Sequence, residues 1–211
     1  QPSIPGAQPP VADLEGVWNF STVTRLERPP EFSGKAYLTD DEARAYAKRV
    51  VEQSNVDRRP ASPEADVSAA YNEVWYDRGA GVATVRGRHQ TSLIVDPPDG
   101  RIPPQTREAQ EKAAARAGER RQRPADGPED RSLGERCLSF NAGPPMMSGP
   151  YNNYVQILQR PDYVIVHTEM IHDARVIPID PAGRVEHLPP AIRRWQGDSR
   201  ARWDGATLVV D

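Results

Sequence analysis

The densest set of chemically capable side chains lies between residues 167 and 175, which hold His167, Glu169, His172, Asp173 and Arg175. A histidine and a carboxylate on one concave surface can serve a substrate as general base and general acid. A neighbouring guanidinium can steady developing negative charge. These five residues are the candidate catalytic groups of a hydrolase or lyase. Whether they meet depends on register. Alternate side chains of a strand share a face, so Tyr163, Ile165, His167 and Glu169 point one way. The mostly apolar Val164, Val166, Thr168 and Met170 point the other. If that register continues, Asp173 and Arg175 join His167 and Glu169, whereas His172 does not. A bulge near Met170 reverses this. The run HTEMIH is not the HExxH zinc signature, because Glu169 follows His167 by two and His172 lies at i+5. The alternative is an ordinary half-exposed strand across which Asp173 and Arg175 pair.

Three other clusters qualify. In Asp126–Cys137, Arg131 and Arg136 are able to grip a carboxylate or phosphate in bidentate fashion, or to satisfy Glu129, Asp130 and Glu135 and so hold an irregular loop. Cys137 has no histidine near it in sequence to activate it. In Asn141–Tyr154, Tyr151, Asn152 and Asn153 are expected at the mouth of a ligand pocket, with Met146 and Met147 either lining it or plugging the core. In Arg193–Asp204, Arg193, Trp195, Arg200 and Trp203 alternate in a way that permits cation–π stacking on sugars, anions or a protein partner.

The rest of the sequence must position these groups. The chain has 211 residues, 37% hydrophobic, with a formal charge of −3, which argues against a general nucleic-acid binder. No apolar run is long enough to span a membrane. P-loop, dinucleotide, CxxC and EF-hand signatures are missing, so no cofactor and no metal are assigned. Cys137 is the single cysteine, which excludes an internal disulfide. The opening QPSIPGAQPP reads as a mature end left by signal cleavage, so a periplasmic or secreted location is expected.

Residues 1–13 read as a flexible arm and 14–211 as a single domain. Strands are expected at 14–20, 72–76, 81–85, 91–95, 153–158, 163–170 and 171–179, with a final strand closing the chain. Thr39 is a suitable N-cap for a helix running to about Gln53, with Ala43, Ala47 and Val50 as its apolar stripe. Thr106–Arg123 reads as a charged surface helix. The 22 prolines cluster at strand ends and reversals such as Asp96–Gly100. The fold class is therefore mainly β, an antiparallel barrel-like or sandwich domain with two inserted helices.

Blocks including DLEGVWNFSTVTRLERP, SLIVDPPDGRIPP, DGPEDRSLGERCL, GPYNNYVQILQRPDYVIVHTEMIHDARVIPID and WQGDSRARWDGATLVVD resemble a family of exported bacterial proteins of unknown function. That resemblance covers nearly everything after residue 12. It implies a β-rich, lipocalin-like or calycin-like domain, without an activity to carry over. Relatives continue past TLVVD with more strands, so this chain is expected to be a fragment or to have its missing edge supplied by another polypeptide. The expected role is an extracytoplasmic module that binds a small molecule, a carbohydrate or a protein, with the protein partner at the open edge of the last strand. The alternatives are the hydrolase or lyase built on 167–175 and an accessory subunit of a larger membrane-associated complex.

Overall fold

The computed structural model of the chain describes residues 11–58, 62–68, 72–140, 146–180 and 186–211. Residues 1–10 of the expected arm, 141–145 of the Pro-rich loop and 181–183 of the expected Pro/Gly turn lie outside the described residues. The elements in chain order are β1 (Gly16–Asn19), β2 (Tyr37–Leu38), α1 (Asp40–Ser54), α2 (Pro63–Ser68), β3 (Thr84–Val85), β4 (Arg88–Gln90), α3 (Arg107–Gln122), β5 (Tyr154–Gln159), β6 (Tyr163–Thr168), β7 (Ala174–Pro178), β8 (Ala201–Asp204) and β9 (Thr207–Val210). Every pairing between these described strands is antiparallel, and a parallel bridge joins Ile179 to Ala201. The described strands form sheets of four, three and two, and none of them is closed. The chain gathers into two compact units: Ser21–Asp130 with Ser148–Asn153, and the remaining described residues.

In the first unit, α1 begins as its residue types require. The Thr39 hydroxyl accepts the Glu42 N–H, and the Glu42 carboxylate accepts the Thr39 N–H at 2.9 Å, a reciprocal capping box. Ala43, Tyr46 and Ala47 are buried from the helix and pack with Val23 and Leu38, flanked by Phe32, Val50 and Val82. Phe32 meets Tyr46 edge-on at 5.1 Å. Burial pushes the Tyr46 phenol above its ordinary pKa.

The sheet of this unit, ordered β2-β4-β3, is short, and side chains do much of the holding. Buried Arg28 donates through Nε to Thr91 Oγ1 at 3.0 Å and through Nη1 to the Pro98 carbonyl at 2.9 Å. Thr91 Oγ1 donates to the Lys35 carbonyl at 2.7 Å, and Thr24 Oγ1 accepts the Ala83 N–H at 2.8 Å. Asn153 is fully buried. Its Oδ1 accepts the Gly149 N–H at 2.7 Å, and its Nδ2 donates to the carbonyls of Gly149 and Asp77. At Gly79 a Cβ would lie 2.8 Å from the Ser21–Thr22 backbone, so only glycine admits that approach.

Two expected strands do not form here. Residues 91–95 are tied at two points, Leu93 N to Arg25 O and Ile94 N to Leu26 O, while the Ser92 hydroxyl bonds the Ile94 carbonyl. Residues 72–76 become a 3₁₀ turn over Glu73–Trp75. There Glu73 takes the Val56 N–H on its carboxylate and gives its own N–H to Asp57. Polar side chains offer the backbone an alternative to a ladder. α3 has the expected cap at Thr106 and buries no residue.

In the second unit the order is β1-β5-β6-β7. Val155, Val164, Thr168 and Ile177 are buried on one face, the face opposite His167. β8 and β9 form a hairpin across Gly205, whose φ is 58°. The final strand therefore has a partner that the sequence reading did not foresee. Ala201–Asp204 pairs with it because the Gly205-Ala206 turn reverses the chain within two residues.

Candidate functional site

The residues at 167–175 do not converge. His167 pairs with Ala174 across β6–β7, whereas Arg175 pairs with Val166. Directly opposed residues share a face, so Arg175 lies on the face opposite His167. The expected shared register is thus corrected. Its cause is the turn over Met170–His172, where Ile171 and His172 both take φ of 58° and reset the alternation. Glu169 is exposed, and its carboxylate accepts the Tyr154 N–H at 3.2 Å. Asp173 accepts the Phe140 N–H at 2.9 Å instead of pairing with Arg175. Arg175 Nε is buried without a hydrogen-bond partner. The rings of His167 and His172 lie 6.5 Å apart, and His172 is exposed. None of the clefts described below is lined by these five residues.

The second expected cluster is structural in its contacts. Arg123 reaches Glu129 and Asp130, and Arg131 reaches Glu135 at 3.3 Å. Glu135 accepts the Ser132 N–H at 2.9 Å, which holds its carboxyl below the ordinary range. Cys137 is exposed.

The third cluster divides. Asn153 belongs to the framework and not to a pocket mouth, because its amide is consumed by backbone groups. Tyr151 and Asn152 line a cleft of about 300 Å³ together with Trp75 and Tyr76. Trp75 is 68% exposed and Tyr151 46% exposed. Arg78 lies 3.6 Å from the Tyr76 ring centroid and pairs with Glu73 at 2.8 Å. The framework beneath is the Asn153 amide and the Asp77 N–H, which donates to the Pro150 carbonyl at 2.8 Å. Trp75 and Tyr76 went unassigned as site residues because their segment reads as a strand.

The fourth cluster disperses as well. Arg193 is exposed, and Trp195 is exposed on a turn. Trp203 sits in β8 opposite Leu208. Arg200 pairs with Asp198 at 3.0 Å and lines a polar cleft of about 350 Å³ with Asp180, Glu186, His187, Arg202 and Asp211. Asp198 accepts the Leu188 N–H at 2.7 Å, which with Arg200 holds it below the ordinary carboxylate range. Among the described residues the cation–π contacts involve Arg49 with Tyr46, Arg78 with Tyr76 and Arg88 with Tyr37, not the Arg/Trp segment.

A constellation that the sequence did not reveal stands at the β3–β4 hairpin. Arg86 and Gly87, with φ of 51° and 73°, make a two-residue loop of the kind that suits hairpin twist. It sets Thr84 directly opposite His89. Thr84 Oγ1 lies 2.9 Å from His89 Nδ1, and His89 Nε2 lies 3.1 Å from Asp40 Oδ1. With a proton on Nε2, that nitrogen donates to the Asp40 carboxylate. In that tautomer of the neutral ring, Nδ1 is the acceptor and the Thr84 hydroxyl donates. Asp40 and His89 line a cleft of about 570 Å³ together with Ala43, Ala47, Val51 and Val82 and with the charged side chains of Arg44, Lys48 and Glu52.

Among the described residues no group of three or more His, Cys, Asp or Glu is placed to hold a metal, and no helix is long and apolar enough to cross a membrane. No protein-family model, curated protein or solved structure matches the chain.

Proposed function

We propose that the chain is a ligand-binding module and that its ligand seat is the cleft of Trp75, Tyr76, Tyr151 and Asn152. The observation that carries this reading is the clustering of exposed aromatic rings, from two stretches far apart in sequence, around an amide in one concavity. Large apolar side chains left in water are the informative exception to burial. Ring faces beside a few polar groups suit a ligand with a flat apolar face and a hydroxylated edge, which is the chemistry of a carbohydrate. Arg78 covers Tyr76 and ties it to Glu73, so one wall of the seat is held before a ligand arrives.

The resemblance of the sequence blocks to exported lipocalin-like proteins supports an extracytoplasmic setting and a barrel-like or sandwich arrangement of the strands. A second reading, protein docking at the C-terminal hairpin, rests on β9 having one pairing neighbour among the described residues. It accommodates an accessory subunit of a membrane-associated complex.

The test titrates the protein with maltotetraose, cellotetraose and chitotetraose and follows tryptophan fluorescence and heat. Saturable binding of at least one sugar that disappears in Trp75→Ala and Tyr151→Ala, with unfolding midpoints unchanged, is expected. Sugar binding that survives both substitutions, or no binding to any of the three, would refute the assignment.

A further inference from the structure

We propose that the Thr84–His89–Asp40 relay is an acyl-transfer site for aliphatic carboxylic esters, with the groove along α1 receiving the acyl chain. Two observations converge. The hydroxyl, imidazole and carboxylate are joined in one hydrogen-bonded line, at 2.9 Å and 3.1 Å. A hydroxyl is a weak nucleophile unless a positioned base takes its proton, and a base works best when a third group fixes its ring. In the neutral tautomer that donates from Nε2 to Asp40, Nδ1 is free to accept from Thr84. The same His89 and Asp40 line a groove together with Ala43, Ala47, Val51 and Val82, and Thr84 meets that groove through its bond to His89. At about 570 Å³ the groove falls within the range of small-molecule sites, and its four apolar side chains suit a short alkyl chain.

The chemistry balances without a cofactor. Thr84 Oγ1 forms a bond to the ester carbonyl carbon while its proton passes to His89 Nδ1. The tetrahedral adduct collapses and the ester C–O bond breaks. The departing alkoxide takes the proton from His89 and leaves as an alcohol. Water then attacks the acyl-Thr84 carbonyl, giving a proton to His89. As the Thr84–acyl bond breaks, His89 returns that proton to Thr84, and a carboxylic acid is released. Ester and water become alcohol and acid. Asp40 touches only His89 and is a positioning residue.

The experiment treats the whole chain with a fluorophosphonate probe and with p-nitrophenyl butyrate, and locates the adduct by peptide mass spectrometry. The adduct is expected on Thr84. His89→Gln, which keeps a hydrogen-bonding side chain without a base, should lower labelling and hydrolysis about 100-fold or more. Asp40→Asn should lower kcat with KM little changed. Thr84→Ser should react faster than the parent chain, and Thr84→Val should not react at all. An unlabelled Thr84 in folded protein, or equal labelling with His89→Gln, would mean that these bonds only pin the hairpin to α1 and would overturn the proposal. Carbohydrate binding is measured on Thr84→Val in parallel. Its survival there separates a failure of this site from a failure of the aromatic seat.

Discussion

The two compact units are held by different means. In one, β1, β5, β6 and β7 exchange backbone hydrogen bonds along continuous ladders, and the buried side chains are mostly aliphatic. In the other, strands of two or three residues give way to side chains. Arg28, Asn153, Thr24, Thr91 and Glu73 do the bonding that longer strands would do. Both the aromatic seat and the Thr84–His89–Asp40 relay lie in this second kind of unit. A ladder sets side chains at fixed alternate spacing, and the left-handed turn between β6 and β7 resets it, which sent His167 and Arg175 to opposite faces. Side-chain staples can bring residues from distant segments to one point, as they do with Trp75 and Tyr151.

This contrast is open to attack, beginning with its largest expected effect. Asn153→Ala leaves several buried backbone groups unpaired, each worth about 1–3 kcal/mol, and should lower stability by about 3 kcal/mol. Gln156→Ala, at an exposed ladder position of β5, should change it by less than about 0.5 kcal/mol. Urea unfolding measures both, and equal losses would erase the distinction. Amide exchange should quicken at 73–78 and 148–153 in the Asn153 variant while β5 and β6 stay protected. Next comes Arg28→Met, which keeps the apolar stem but removes two donors from a buried site. A loss of about 2 kcal/mol is expected, read from the same unfolding curves. Thr39→Ala removes the α1 cap and should cost about 1 kcal/mol, with far-ultraviolet dichroism as an additional readout.

Acid supplies a smaller effect. The Lys35 side chain, then the Thr39 N–H, hold Glu42 below its ordinary value of 4.5. A carboxyl with a depressed native pKa contributes stability in full above its unfolded value and loses it as pH falls through the native one. The start of α1 should therefore loosen below about pH 4.5, and Glu42→Gln should flatten that part of the dichroism profile. The smallest effect belongs to α3. It buries nothing, and its ion pairs Arg107–Glu111 and Glu108–Lys112 contribute about 0.2–0.5 kcal/mol each. A modest salt-dependent loss of helicity confined to 107–122 is expected by exchange measurements.

How far the sequence could be read follows the same division. α1 was legible because a Thr cap, a glutamate three residues on and an apolar stripe all agree. β5 and β6 were legible because their alternation is long. The β6–β7 crossing was not, since Ile171, one of the two left-handed residues there, is β-branched, a type that rarely takes that conformation. The relay stayed hidden for a different reason. His89 has no acidic neighbour in sequence, and the strands were expected at 81–85 and 91–95, which leaves His89 outside both. Taking Arg86-Gly87 as a two-residue hairpin loop would have paired Thr84 with His89 directly. Asp40 would still have been unreachable, because its place comes from how α1 packs.

Asn153 has one more consequence, for how this chain can change over generations. Its amide grips main-chain atoms of residues 77 and 149, and main-chain atoms are the same whatever side chains they carry. Trp75, Tyr76 and Tyr151 can thus be exchanged without disturbing the grip that shapes their cleft. Descendants of this protein are free to trade one ligand for another while the position that holds the seat open stays fixed.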